Sequence, residues 1–242
     1  MKTFRDFDIR SEFIDYLGLY EKNANTGPDF HKIANVSQND YQLELDHIYR
    51  DIETIKETWN NQSIDQIEQS VSKKGPRQLE IMKGQKEEKL RAGYKPNQPM
   101  YRIKNCGPDS FFTHLAKQIG LEQALARYHV QFPGEVTAWH TDIYSPAHEF
   151  LSESAEDQSD ESIGQDKNIR RILIALEDWR WGQFLQFGMS PWFDWKAGDM
   201  IYWKYGVPHG GANMGYVPRI SVSITGLITD KFMGICQNAF PK

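Results

Sequence analysis

Residues 217–226 read VPRISVSITG. From Arg219 onward the side chains alternate, with Arg219, Ser221, Ser223 and Thr225 in one row and Ile220, Val222 and Ile224 in the other. Successive side chains on a β-strand point to opposite faces, so this is a strand between two unlike environments. The aliphatic row is expected to pack under helices, and the polar row to line a cavity. An arginine leading the polar row would sit in a closed space, where a cation requires an anion. A planar guanidinium can grip a carboxylate through two parallel hydrogen bonds, and Ser221 could donate a further one.

Upstream, ARYHVQF, RRILIAL, GQFLQFG and DMIYWKY are short and rich in β-branched and aromatic residues. Gly, Pro, Asn and Asp bound them. Strands in series without intervening helices predict a sandwich or barrel. Before about residue 125 the pattern reads as mainly helical. Over Asn39–Trp59, Tyr41, Leu45, Ile48, Ile52, Ile55 and Trp59 recur at helical spacing, and Ser63–Val71 reads as a further short helix. In NCGPDSFFTHLAKQIG, Asp109 or Ser110 could cap a helix that Gly120 ends. The expected organisation is a single α+β domain over 1–242, with helical support over 1–124 and a β core over 125–228.

Two further stretches carry chemistry: AWHTDIY at 138–144 and VPHGGAN at 207–213. His140 and Asp142 are two apart, so an extended backbone presents both to one side. With His209 they make two imidazoles and one carboxylate, a set that binds non-haem Fe(II) on one face and leaves positions open. Gly198 and Asp199 turn into the strand that leads to His209. Pro208 stiffens the backbone before that histidine, and Gly210 and Gly211 permit close approach. His31, His47, His114, His129 and His148 read as structural or surface histidines.

The ordered set His140-x-Asp142, His209 and Arg219-x-Ser221 resembles the Fe(II)/2-oxoglutarate-dependent oxygenases, whose core is a double-stranded β-helix (a jelly roll, as in cupins). The resemblance covers roughly 125–228. It implies iron ligands His140, Asp142 and His209, with no catalytic residue beyond them. It further implies Arg219 and Ser221 as partners of the distal carboxylate of 2-oxoglutarate, and Tyr128 as a second contact to that cosubstrate. The implied activity is hydroxylation of a C–H bond by O2, with release of succinate and CO2. The substrate would be an amino-acid side chain, free or in protein, or a small metabolite. Two other readings stay open: a cupin-type metal protein that binds a small acid or sugar without turnover, and an interaction protein working through its helical half.

The remaining composition is less specific. Net charge is −5 with 25% charged residues, which gives no overall attraction to nucleic acid or anionic membranes. No apolar run approaches the roughly 20 residues of a membrane span, and MKTFRDFDIRSEF lacks the apolar core of a secretory signal. Cys106 and Cys236 read as reduced thiols, so a cytoplasmic setting is expected. Of the seven tryptophans, most should pack in the core, while Trp139 and Trp181 could line a substrate mouth with Arg102 or Arg180. Residues 145–167 hold seven acidic side chains and read as a mobile surface loop beside the proposed metal, with a lid as the functional alternative. The basic run at 72–95 reads as a solvated helix and loop.

Overall fold

A computed structural model describes residues 29–61, 87, 90, 100–140, 169–203 and 207–239. Asp142, His148, the acidic segment 145–167, the helix expected at Ser63–Val71 and nearly all of the basic run lie outside the described residues.

Three strands precede the β core: β1 (Phe30–Asn35), β2 (Asn60–Asn61) and β3 (Arg102–Asn105). Eight more follow: β4 (Leu121–Gln131), β5 (Val136–His140), β6 (Ile169–Ala175), β7 (Gln183–Phe187), β8 (Ser190–Trp192), β9 (Asp199–Trp203), β10 (His209–Asn213) and β11 (Arg219–Ile228). One sheet runs β1-β9-β6-β11-β4-β3-β2 and the other β5-β10-β7-β8. All the strand pairs are antiparallel. From β4 to β11 the chain passes repeatedly between the two sheets, which is the jelly-roll winding. The two sheets stay separate, and the class is α+β.

Among the described residues, helices α1 (Gln42–Arg50), α2 (Ile52–Thr58), α3 (Phe111–Gln118) and α4 (Asp230–Ala239) accompany them. The expected continuous helix over 39–59 is broken at Asp51, yet Tyr41, Leu45, Ile48 and Ile55 are all buried. The periodicity identified the buried face but not the break. Ser110, rather than Asp109, caps α3, accepting the Phe112 N–H at 3.2 Å. Gly120 ends it at φ +81, and any Cβ there would lie 2.5 Å from the Thr229 hydroxyl.

The helices cover one face of the larger sheet. Ile220, Val222 and Ile224 of β11 are at most 2% exposed and cluster with Phe112, Leu115 and Tyr41. Burying each such side chain contributes about 1.5–3 kcal/mol. A second cluster fills the space between the sheets, with Ile201 and Trp203 of β9 against Leu185, Phe187 and Trp192 of the smaller sheet.

The first 124 residues contain more strand than expected, and the β core begins at Leu121 rather than 125. β1 is an edge strand whose register is set by β9, with Phe30 opposite Trp203. Its pairing partner lies far along the chain, so local periodicity carries little trace of it.

Candidate functional site

Register decides which side chains share the space between the sheets. Directly opposed residues of an antiparallel pair lie on one face. Along β11 and β4 the pairs are Arg219–Gln131, Ser221–His129, Ser223–Arg127 and Thr225–Leu125. These side chains point away from the helices. Gln131 donates to the Thr137 hydroxyl of β5 at 3.1 Å, which ties this face to the smaller sheet. The polar row of β11 therefore lines the interior, with Ser221, Ser223 and Thr225 buried.

Arg219 crosses from one sheet to the other. Its Nη1 donates to the Phe184 carbonyl of β7 at 3.0 Å. The path exists because residue 211 has no side chain: a Cβ there would lie 3.3 Å from Arg219 Nη1 and 2.7 Å from the Phe184 oxygen. Part of Arg219 reaches solvent, but its guanidinium is enclosed, and burial pushes its pKa down to about 10. Among the described residues no carboxylate forms an ion pair with it. Among the described residues its acceptor is a neutral carbonyl, an environment that is chemically suited to an added anion.

His209 opens β10 opposite His140, the last residue of β5. The two ring centroids are 4.3 Å apart. Imidazole nitrogens binding one metal at about 2.1 Å would sit roughly 3 Å from each other, which rings this close permit. His209 is buried against Phe187 and Trp203, with centroids at 5.5 and 5.1 Å. Its Nδ1 lies 3.0 Å from the Val207 carbonyl. A carbonyl can only accept, so Nδ1 is the donor of this bond, and in the neutral ring that tautomer puts the lone pair a metal needs on Nε2.

The orientation of His140 depends on an irregularity in β5. Thr137 faces inward opposite Gly211, so strict alternation would put Trp139 opposite His209. The register instead slips by one residue between Gly211 and His209, and His140 takes that place. Trp139 is left 40% exposed. Bulges commonly re-aim a side chain in this way beside functional sites. Among the described residues no three ligating groups come together; Asp142 lies outside them.

Two assignments need correction. Tyr128 lies opposite Val222, on the helix side of the sheet. Its hydroxyl donates to Glu44, whose carboxylate also accepts the Phe111 N–H at 2.7 Å. Tyr128 thus joins α1, α3 and β4, and it does not face the interior. The alternation in ARYHVQF held this information: Arg127, His129 and Gln131 form the inward row. Arg102 is also structural. It is buried in an ion pair with Glu135, donates to the Lys56 carbonyl at 3.2 Å, and lies 5.1 Å over the Phe132 ring.

Trp181 and Arg180 are exposed, with Trp181 lying 5.3 Å from Trp179. Trp192, Trp195 and Trp203 are buried, as expected of core tryptophans. Sequence reasoning missed the Phe184 carbonyl, the β5 bulge and the inward row of β4.

No family model and no curated protein matches the chain. Among solved structures, a Pseudomonas putida prolyl-4-hydroxylase is 14% identical, over 84% of this chain and 94% of that one, at a TM-score of 0.48. A Cupin 2 conserved barrel domain protein from Salinispora arenicola is 12% identical over 57% of this chain and 84% of its own, at 0.31. A predicted oxalate decarboxylase from Thermotoga maritima is 13% identical over 53% and 81%, at 0.32. The likeness is one of fold, which the strand order described above defines independently.

Proposed function

We propose that this chain is an Fe(II)- and 2-oxoglutarate-dependent oxygenase that hydroxylates a C–H bond. The observation that carries the reading is an enclosed guanidinium, Arg219, on the wall facing two converging imidazoles, His140 and His209. His140 and His209 would hold the metal together with Asp142, and Arg219 with Ser221 would hold the distal carboxylate of 2-oxoglutarate. Iron held there would supply, with 2-oxoglutarate and O2, the oxidising power for hydroxylation, 2-oxoglutarate ending as succinate and CO2.

The protein's own contribution is positioning. Val207 fixes the His209 tautomer, while Phe187 and Trp203 hold its ring. The Phe184 carbonyl and the open space over Gly211 hold the Arg219 guanidinium extended across the interior. The apolar cluster between the sheets excludes water from one side. Trp139, beside a ligand and exposed, and Trp181 remain substrate-mouth candidates.

Anaerobic addition of Fe(II) and 2-oxoglutarate should produce a visible charge-transfer band. His140→Ala should abolish it, and Arg219→Ala should weaken 2-oxoglutarate binding at least tenfold. An unchanged 2-oxoglutarate affinity in Arg219→Ala would remove the cosubstrate assignment. Bound metal with no succinate under O2, with or without added substrates, would favour a cupin-type binding protein.

A further inference from the structure

Large apolar side chains gather on the surface at the end of the sandwich where β11 begins. In the smaller sheet β7 starts at Gln183, opposite Asn213 at the end of β10, while His209 and His140 lie at the other end of that sheet. The loops 176–182, 193–198 and 214–218 therefore meet at the end remote from the histidines. Ring contacts link the first two, with Trp179 lying 5.3 Å from Trp181 and 6.5 Å from Phe193. The third is joined to them by the Met214 N–H, which donates to the Gly182 carbonyl at 2.7 Å. A Cβ at Gly215 would lie 2.4 Å from the Trp181 carbonyl oxygen. Trp181 and Phe193 thus adjoin Met214, Tyr216 and Val217 in one continuous patch.

Each of these five side chains is exposed, Trp181 by 84% and Tyr216 by 96%. An aromatic side chain carries about 150–250 Å² of surface, so the five together present about 550 Å² of mainly apolar area. That lies near the upper limit for the largest apolar patch of a monomer. The loops beneath are held firmly. The Trp179 Nε1 donates to the Gln183 carbonyl at 2.6 Å, the Trp179 N–H to the Trp195 carbonyl at 2.9 Å, and the Asn213 amide to the Val217 carbonyl at 2.8 Å. A surface fixed in this way loses little conformational freedom on docking.

We infer that this patch is the interface of a two-fold dimer, its occupant being a second copy of the chain. Area and charge both favour that occupant. Two copies would bury about 1,100 Å² from these side chains alone, and the polar rim brings the total into the range of roughly 1,200–2,000 Å² that stable interfaces occupy. The same loops carry Asp178, Arg180, Asp194 and Lys196, all exposed. A two-fold axis sets a patch against itself, so a rim of one sign would repel and a rim of both signs can pair. Asp194 and Lys196, 3.8 Å apart and exposed, form a weak pair that can exchange partners across the axis. The balanced rim offers a strongly charged partner, such as nucleic acid or an anionic membrane, no net attraction. The inference reassigns Trp181 from the substrate mouth to this surface, and it leaves the histidine end of each copy clear.

The test is sedimentation velocity of the full chain over a hundredfold range of concentration. The wild type should be a dimer at about 10 µM, since interfaces of this area bind at micromolar or tighter. Trp181→Ser and Tyr216→Ser should each raise the dissociation constant at least tenfold, because exposed rings at the centre of an interface carry most of its energy. Met189→Ser is the control, an exposed apolar residue in the turn between β7 and β8 at the histidine end, and it should dimerise as the wild type does. Circular dichroism on dilute samples checks that each variant is folded, and Met214→Ser replaces either serine variant that is not. A wild type that stays monomeric throughout overturns the inference. So does a dimer that the patch variants leave intact, or one that Met189→Ser weakens as much as they do.

Discussion

A methyl group added at Gly211 would sit 2.6 Å from the Leu185 Cδ2, 2.7 Å from the Phe184 carbonyl oxygen and 3.3 Å from Arg219 Nη1. Leu185 is a side chain and can rotate, at some loss of packing in the cluster between the sheets. The Phe184 oxygen is backbone, in a residue paired with Ala212 of β10, and moving it means parting β7 from β10. Overpacking of this kind costs about 1–3 kcal/mol. Displacing Arg219 from its carbonyl adds the loss of a charged hydrogen bond, about 1.5–3 kcal/mol. Gly211→Ala is therefore expected to destabilise the protein by about 3 kcal/mol. For a chain of this length that lowers the melting temperature by roughly 6–12 °C. The same displacement moves the guanidinium, so 2-oxoglutarate affinity should fall about tenfold, equivalent to about 1.4 kcal/mol. Thermal melts followed by circular dichroism and titration of the charge-transfer band measure the two effects. Gly107→Ala is the control, since a methyl there meets nothing within 4 Å. A Gly211→Ala protein that melts with the wild type and binds 2-oxoglutarate equally would refute this account of how Arg219 is held.

Ile224→Ala empties a fully buried position between β11 and the helices, and urea unfolding should show a loss of about 2–5 kcal/mol. Glu135→Gln breaks the buried pair with Arg102 and should cost about 3–5 kcal/mol of stability. If that variant instead keeps its stability and changes only substrate binding, the structural assignment of Arg102 is wrong. Burial holds the Glu177 carboxyl above its ordinary value, with the Tyr49 hydrogen bond and Arg180 pulling the other way. A folded value above the unfolded one means a contribution that is complete below the ordinary carboxylate range and lost as pH rises through the folded value. Wild-type stability should decline across that window, and Glu177→Gln should remove the decline; an identical slope in the two proteins would contradict this.

Much of the fold was legible because its information is local. Alternation in RISVSIT marked a strand with an aliphatic and a polar face, and the structure buries Ile220, Val222 and Ile224 under helices with the serines inward. Helical spacing found the buried residues of α1 and α2, though a single backbone irregularity at Asp51 left no mark in that spacing. The strands before β4 were read as helical surroundings because β1 and β3 are short and are held by partners distant in sequence. Tyr128 was assigned to the cosubstrate because it lies on a core strand; its side of the sheet followed from register with β11, and a buried hydroxyl then found Glu44.

The amino-acid sequence by itself determined which residue types lie on which strands: imidazoles at the ends of β5 and β10, and a guanidinium leading a polar row on β11. Side-chain alternation and turn chemistry are properties of neighbours along the chain, so they need no folded context. Only the tertiary structure decided that a one-residue slip in β5 turns His140 inward in place of Trp139. Only it decided that Gly211 clears the path of Arg219 to the Phe184 carbonyl, and that Arg102 belongs to Glu135. Each of these depends on hydrogen-bond register and packing between separate segments, where one residue of slip exchanges the inner face for the outer.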